Sequence, residues 1–439
     1  MKRLIKPNED ILRLVSQSVP SKETRMKRSQ FVIPFHLEEH CVYYNTLTGE
    51  CYLMEGDELL PASYLYTVNE QNLTDLIKSR FYVREEIDEV RSYCGFLSIL
   101  RTIKYSQDIR KYTILPTSHC NARCFYCFEK GFRYVAMTDD TVRKTVDLIE
   151  RTHGNSKVTI SWFGGEPLMG IANIRRIVSA LKEKEIPYKS TMVSNGSLFT
   201  DALVNEAKTD WKLESVQITL DGNKSEYLKR KNYVNQDDSV FDKVLENIRL
   251  LQNAGTAIRI RLNIDRDNIL SCLELADILD EYFPIKKGIT VKAAVLFQNE
   301  ENESGLQIWK EALKVERVFH DKGFKTFTEE GFSCAQPYYC MADSPDAVVI
   351  NADGTLYACE HCDEGNRICN IDNFISKNTK KTAAVSDIRE KCLDCPFLPN
   401  CTDFSNCPSQ RNNCREIRFV RLEAALRLKL ETFLKQGIT

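Results

Sequence analysis

The sequence predicts an α/β fold: a partial (β/α)6 TIM-like barrel, with a small α+β N-terminal domain ahead of it and a cysteine-rich domain behind. Three observations predict it. From Lys111 to Ala294 short β-rich runs alternate with helical runs, the mark of strand–helix units that build a parallel sheet through right-handed crossovers. Six such units form an open relative of the eightfold barrel. Upstream lies a hairpin pattern followed by helical stretches, and downstream ten of the 17 cysteines crowd into 334–414.

In chain order, residues 1–110 hold the hairpin, with Cys41-Val42-Tyr43-Tyr44 and Glu50-Cys51-Tyr52-Leu53 as strands about the turn Asn45-Thr46-Leu47-Thr48-Gly49. Cys41 and Cys51 are expected to face each other across it, as reduced buried thiols rather than a metal site. Helical patterns follow near 69–80 and 84–104. A unit of this kind either binds a peptide along an exposed sheet edge or caps the catalytic domain. The barrel, 111–330, has strands at 112–116, 157–163, 189–194, 215–220, 257–263 and 289–294. Its helices fall near 138–152, 171–184, 200–208, 241–254 and 270–281, with a last one at 307–322. The cysteine-rich domain spans 331–414, and apolar residues at helical intervals through 415–439 mark a packing helix.

Composition narrows the classes of function. In 439 residues, 43% are apolar and 10% aromatic, which is ordinary for a globular chain. The formal charge of −2, from 60 basic and 62 acidic residues, gives no reason to expect nucleic acid or an anionic membrane as partner. Residues 1–30 lack the apolar core of a signal peptide, and no apolar run approaches the ~20 residues of a membrane span. A cytoplasmic location is the expectation, and there thiols stay reduced, so 17 cysteines read as ligands for metal or cluster rather than as disulfides.

Chemistry in such barrels collects where strands end. The loop after the first strand, from Thr117 to Phe128, carries Cys120, Cys124 and Cys127. Three thiolates at this spacing can hold three corners of a cubic iron-sulfur cluster and leave one iron open. An open coordination position is what separates a catalytic metal site from a structural one. A zinc knuckle is the other reading of the same residues. After the second strand comes Trp162-Phe163-Gly164-Gly165-Glu166-Pro167, where glycines admit a ligand to the backbone and a glutamate can accept from an ammonium. Ser194-Asn195-Gly196 follows the third strand, Thr219-Leu220-Asp221-Gly222 ends the fourth, and Arg259 and Arg261 share one face of the fifth.

In their order and strand positions these motifs resemble the radical SAM superfamily. That resemblance, over roughly residues 111–414, implies an oxidoreductase in which the open iron of a [4Fe-4S] cluster chelates S-adenosylmethionine. Its reductive cleavage yields a 5'-deoxyadenosyl radical that abstracts hydrogen from substrate. Carried across, Gly164, Gly165 and Glu166 meet the methionyl amino group, Tyr126 lies by the adenine, and Ser194 and Thr219 lie near the ribose. Arg261 is the candidate for the methionyl carboxylate, with Arg259 of the same parity. Asp221 and Gly222 match a turn whose job is strand-end structure or contact.

The later cysteines run Cys334-x5-Cys340, Gly354-x4-Cys359, Cys392-x2-Cys395-x5-Cys401, Cys407 and Cys414. They resemble the SPASM extension, which implies two auxiliary [4Fe-4S] clusters, one on Cys334, Cys340, Cys359 and Cys407 and one on Cys392, Cys395, Cys401 and Cys414. The spacing before Cys407 is longer than the family's, and Cys362 and Cys369 are its substitutes. Zinc remains the other ligand for the Cys392 pair. The resemblance further implies a peptide or protein substrate, with crosslinking or oxidation of a residue in a ribosomally made precursor, leader-peptide recognition by residues 1–110, and an external flavodoxin- or ferredoxin-type electron donor. Glu360, beside Cys359, matches an aspartate of sulfatase-maturing relatives and is the candidate base. The alternatives are a sulfatase-type maturase and, in another class, an iron-sulfur electron carrier.

Overall fold

The computed structural model describes residues 1–54, 60–67, 73–131, 133–235, 237–296, 303–338, 340–377, 383–401 and 414–436. The N-terminal unit runs β1 (Lys2–Ile5), α1 (Glu9–Val15), β2 (Thr24–Arg28), β3 (Val32–Leu37), β4 (His40–Asn45), β5 (Cys51–Met54), β6 (Ser63–Tyr66), α2 (Thr74–Lys78), β7 (Tyr82–Arg84) and α3 (Glu89–Lys104). Its strands form two antiparallel sheets, ordered β1-β5-β4-β3 and β6-β2-β7. The helix expected from 84 starts at Glu89, because Asp88 caps it by accepting from the Arg91 N–H at 2.9 Å. The one expected at 69–80 covers Thr74–Lys78 here, and 68–72 lie outside the described residues.

The expected hairpin forms as β4 and β5, but its cysteines do not face each other. Cys41 pairs with Met54 and Cys51 with Tyr44. Cys41 therefore packs with Tyr43 and Tyr52 on one side of the sheet, while Cys51 packs with Val42 and Leu53 on the other. Strand partners three residues out of step put the two thiols on opposite pleats.

The barrel follows as β8 (Lys111–Ile114), α4 (Asp139–Thr152), β9 (Val158–Trp162), α5 (Ile171–Glu183), β10 (Tyr188–Ser194), α6 (Asp201–Thr209), β11 (Leu213–Thr219), α7 (Lys224–Lys231), α8 (Val240–Asn253), β12 (Ala257–Ile264), α9 (Ile269–Tyr282), β13 (Ile289–Val295) and α10 (Glu303–Asp321). Neighbouring strands from β8 to β13 pair in parallel. Alternation assigns the two faces: Ile160, Val216, Ile258 and Ile260 are buried under the helices, while Ser161, Gln217, Arg259 and Arg261 stand on the other, concave face. Thr138, Thr200 and Asn223 cap α4, α6 and α7 through their side-chain oxygens.

The sheet does not stop at six strands. Beyond β13 lies β14 (Lys325–Thr326), and on the far side β15 (Ala347–Ile350) pairs in parallel with β8, followed by β16 (Thr355–Tyr357) and β17 (Arg367–Asn370) in antiparallel. The cysteine-rich segment thus contributes strands to a ten-stranded sheet. The sequence carried the signal: Ala347-Val348-Val349-Ile350, a turn closed by Gly354 at φ +85°, then Thr355-Leu356-Tyr357.

The C-terminal helix α11 (Cys414–Lys435) packs on the N-terminal sheet, joining Leu422, Leu426 and Leu430 to Ile33, Val42 and Leu53 in one apolar cluster. A second cluster joins Phe31, Leu47, Tyr93 and Leu97 to Ala335, Ile388 and Leu398. Polar bonds cross the same seam, with Tyr44 Oη donating to Ser333 O at 2.6 Å and Thr46 Oγ1 to Pro396 O at 2.5 Å. Residues 1–104 are therefore a buttress for the cysteine-rich segment. Leu426→Ala, at a site with no exposure, is expected to cost about 2–5 kcal/mol in urea unfolding. A loss under ~1 kcal/mol would show that this seam holds little of the fold.

Candidate active site

The cluster loop is held from several sides before any ligand is considered. The Arg123 N–H donates to Lys231 O at 2.9 Å, Val234 N–H to Asn121 O at 2.8 Å, and Glu166 N–H to His119 O at 2.8 Å. A Cβ on Gly165 would sit 2.2 Å from His119 O, so only glycine lets the second strand's turn press on the loop. Burial pushes the Cys120 thiol up to about 12, and Glu166, Cys124 and Cys127 push the same way. Thiols so placed ionise when a metal supplies the positive charge. Among the described residues no three Cys, His, Asp or Glu side chains converge as a single metal ion requires. A cubic cluster is held at separate irons, so the donor set fits it.

The glutamate of Gly164-Gly165-Glu166 has partners of its own. Glu166 is fully buried, and its carboxylate accepts from Ser194 Oγ at 2.9 Å, Asn195 N–H at 2.8 Å and Leu168 N–H at 3.2 Å. It locks the ends of β9 and β10 together, and Ser194, its donor, is 4% exposed. The carboxylate is thereby committed to the protein, and the turn it anchors carries Gly164 at φ +85° over Leu115. Thr219 and Arg261 are direct neighbours on β11 and β12, both part-exposed on the concave face, and Arg261 Nε donates to Asn263 Oδ1 at 2.8 Å.

Lys231, at the end of α7, is the site residue that sequence reasoning missed. It is 4% exposed, with Nζ 3.0 Å from Tyr126 Oη and 3.6 Å from Asp221 Oδ2. Tyr126 donates its own proton to Asp221, whose other oxygen accepts from Asn263 N–H at 3.0 Å. Burial opposes the ammonium, but Tyr126, Asp221 and Cys124 outweigh it and hold its pKa above the usual lysine value. A fixed cation therefore lies under the loop that carries three thiolates. Asp221 is the strand-end hub of this network.

Across the mouth sits the turn Cys359–Cys362, closed by Cys362 N–H donating to Cys359 O at 3.1 Å. Its His361 ring lies against Phe128 of the cluster loop at 4.8 Å between centroids. Cys362, at φ +50°, packs with Leu115 and Phe163, and burial pushes its thiol up to about 12. Glu360 is at the exposed position of the same turn. Burial also raises the Glu129 carboxyl to about 7, although it accepts from the Gly165 N–H.

The other cysteines separate into groups. Cys392, Cys395 and Cys401 feel one another's charge, and Cys392 feels Cys414. Cys359 feels Cys340, and Cys362 feels Cys359. Cys334 packs its Cβ 3.3 Å from where a Gly49 Cβ would stand. Of the two substitutes, Cys362 shares the Cys359 turn, whereas Cys369 on β17 packs with the main barrel core. Cys407 lies outside the described residues.

Comparison with known proteins now defines the class. Residues 114–266 match the Radical SAM superfamily. Those residues form a radical SAM domain, the kind that works with a [4Fe-4S] cluster and S-adenosylmethionine. It is 26% identical over 319 residues to "GTP 3',8-cyclase" of Clostridium perfringens, covering 66% of this chain and 92% of that one. With "Probable GTP 3',8-cyclase" of Thermococcus kodakarensis it shares 26% over 176 residues, 39% of this chain and 55% of the relative. The solved structure "Native anSMEcpe with bound AdoMet and Cp18Cys peptide" superposes with TM-score 0.55 at 16% identity, covering 74% of this chain and 99% of that one, which shows a shared fold. Among the described residues no helix is long and apolar enough to cross a membrane.

Lys231 then carries a prediction. An anionic cluster beside a buried cation is easier to reduce than one without it. In Lys231→Met the ratio of reduced to oxidised cluster at a fixed potential is expected to fall about tenfold, ~59 mV for one electron, with Lys231→Arg close to wild type. Redox titration followed by electron paramagnetic resonance reads it, and equal midpoints in all three proteins would refute the role.

Proposed function

We propose that this enzyme abstracts hydrogen from a residue of a ribosomally made peptide or a protein and leaves a crosslink or an oxidised residue. The bound cluster and S-adenosylmethionine supply the hydrogen-abstracting radical. The protein's own groups do the rest. Cys120, Cys124 and Cys127 would hold the cluster, Lys231 and Asp221 fix Tyr126 toward the adenine, and the Gly164–Gly165 backbone with Arg261 would take the two ends of the methionyl group. Cys392, Cys395, Cys401 and Cys414 would hold one auxiliary cluster. Cys334, Cys340 and Cys359 would hold the other with Cys407 or Cys362. Glu360, exposed at the turn over the mouth, would receive the proton as the substrate is oxidised.

The observation that supports this reading is the 4.8 Å contact of His361 with Phe128, which brings the Cys359–Cys362 turn of the cysteine-rich segment against the cluster loop. A cytoplasmic setting and a small electron-transfer protein as reductant belong to the same proposal. Formylglycine formation on a sulfatase is the second reading within the class. The named sequence relatives are GTP cyclases, so GTP is the competing substrate. Coexpression with each peptide encoded by small reading frames flanking the gene, followed by mass spectrometry, tests it. Loss of hydrogen mass from one peptide is expected; conversion of GTP with every peptide unchanged would refute it.

A further inference from the structure

On the concave face of β12 and β13 the charges are all basic. Arg261 on β12 stands directly beside Lys292 on β13, and Arg259, two residues back on the same face, stands beside Thr290. Like charges side by side repel, so the sheet pays for this arrangement unless an anion joins it. Among the described residues none of the three has an ion-pair partner. The carboxylate whose charge acts on Lys292 is that of Glu316, and its oxygens are already accepting from Ala293 N–H at 2.6 Å, Thr328 N–H at 3.0 Å and the Thr328 hydroxyl.

The surroundings at the open edge of the barrel point the same way. Lys292 Nζ lies 4.2 Å from the centroid of the Phe327 ring. Phe327 also lines a pocket of about 130 Å³ that reaches Arg421, whose guanidinium stacks at 5.0 Å on Trp309. Trp309 Nε1, 6% exposed as a residue, has no acceptor among the described residues and sits in the wall of that pocket. Burial, then Arg261, Arg421 and Arg259, pushes the Lys292 ammonium down to about 8.

We propose that Lys292 and Arg259, with Arg421 at the pocket beyond Phe327, form a carboxylate-binding subsite for an acidic segment of the substrate peptide. It is distinct from the single methionyl carboxylate assigned to Arg261, and rests on the peptide reading above. The carboxylate is either an Asp or Glu side chain or the peptide's C-terminus. The chain's formal charge of −2 leaves no general attraction for anions, so a preference for acidic peptides has to be local.

The test needs no turnover. With anaerobically reconstituted enzyme and S-adenosylmethionine, fluorescence anisotropy compares fluorescein-labelled oligoglutamate, its C-terminally amidated form and C-terminally amidated oligoglutamine of equal length. Oligoglutamate is expected to bind at least about tenfold more tightly than oligoglutamine, ~1.4 kcal/mol. Lys292→Met should remove most of that preference while iron content and S-adenosylmethionine affinity stay at wild type, and Lys292→Arg should keep it. Loss on amidation alone assigns the C-terminus; retention assigns the side chains. Equal binding of oligoglutamate and oligoglutamine, an unaltered preference in Lys292→Met, or displacement by GTP at far lower concentration than by glutamate peptides would overturn the subsite. Those outcomes leave a mass-shifted peptide untouched, so the two proposals fail separately.

Discussion

Replacing Cys120, Cys124 and Cys127 together with alanine is expected to remove about four of roughly twelve irons per reconstituted chain and all cleavage of S-adenosylmethionine. The two effects belong together because the three thiolates are the only protein ligands assigned to that cluster, and the open iron is where the cofactor binds. The loop itself should survive, since its backbone is held by Lys231, Val234 and Glu166 rather than by the thiols. Deoxyadenosine formed by the triple variant would remove the assignment, whereas loss of all the irons would mean that the loop cysteines also support the auxiliary clusters.

Glu360→Gln has the second large effect expected. Iron content and deoxyadenosine should stay close to wild type, while modified peptide falls by at least about a hundredfold, the lower range for a lost general base. The change keeps the size of the side chain and removes only its capacity to take a proton. Its position is exposed, so folding should be indifferent to it. Product per deoxyadenosine at the wild-type ratio would remove Glu360 from the chemistry and leave the exposed carboxylate as a surface group beside Cys359.

What was legible in the sequence follows from which signals are local. The six barrel strands fall within two or three residues of where their β-rich runs place them, because burial under helices demands apolar residues at alternate positions. The three-cysteine loop is contiguous, so its spacing shows directly. Lys231 lies 107 residues from Cys124 and 105 from Tyr126 in sequence, and nothing around it in α7 marks it as different from Lys229 or Arg230. Only the crossover after β11 brings it under the loop. The charge of Glu166 is plain in the sequence, but its burial and its bonds to Ser194 and Asn195 depend on β10 coming alongside β9.

The cysteine-rich segment shows the same limit. Ala347–Ile350 stands among cysteines whose spacing signals ligands, yet its β-branched run completes the far side of the sheet. Pairing of Cys41 with Met54 rather than with Cys51 came from hairpin register, which the turn length sets and residue types alone do not. The packing of residues 1–110 is likewise non-local. Shared clusters with α11 and with Ala335 and Leu398 make them a support for the cysteine-rich segment, whether or not they also receive a leader peptide along a sheet edge.

The central claim is that hydrogen moves from a peptide to the adenosyl group in this barrel. Mass spectrometry of the 5'-deoxyadenosine formed with a uniformly deuterated flanking-frame peptide measures that transfer. The account predicts deuterium in the deoxyadenosine, in step with modified peptide. Deoxyadenosine that forms in the presence of each such peptide yet carries no deuterium, while deuterated GTP passes its label on, would contradict it.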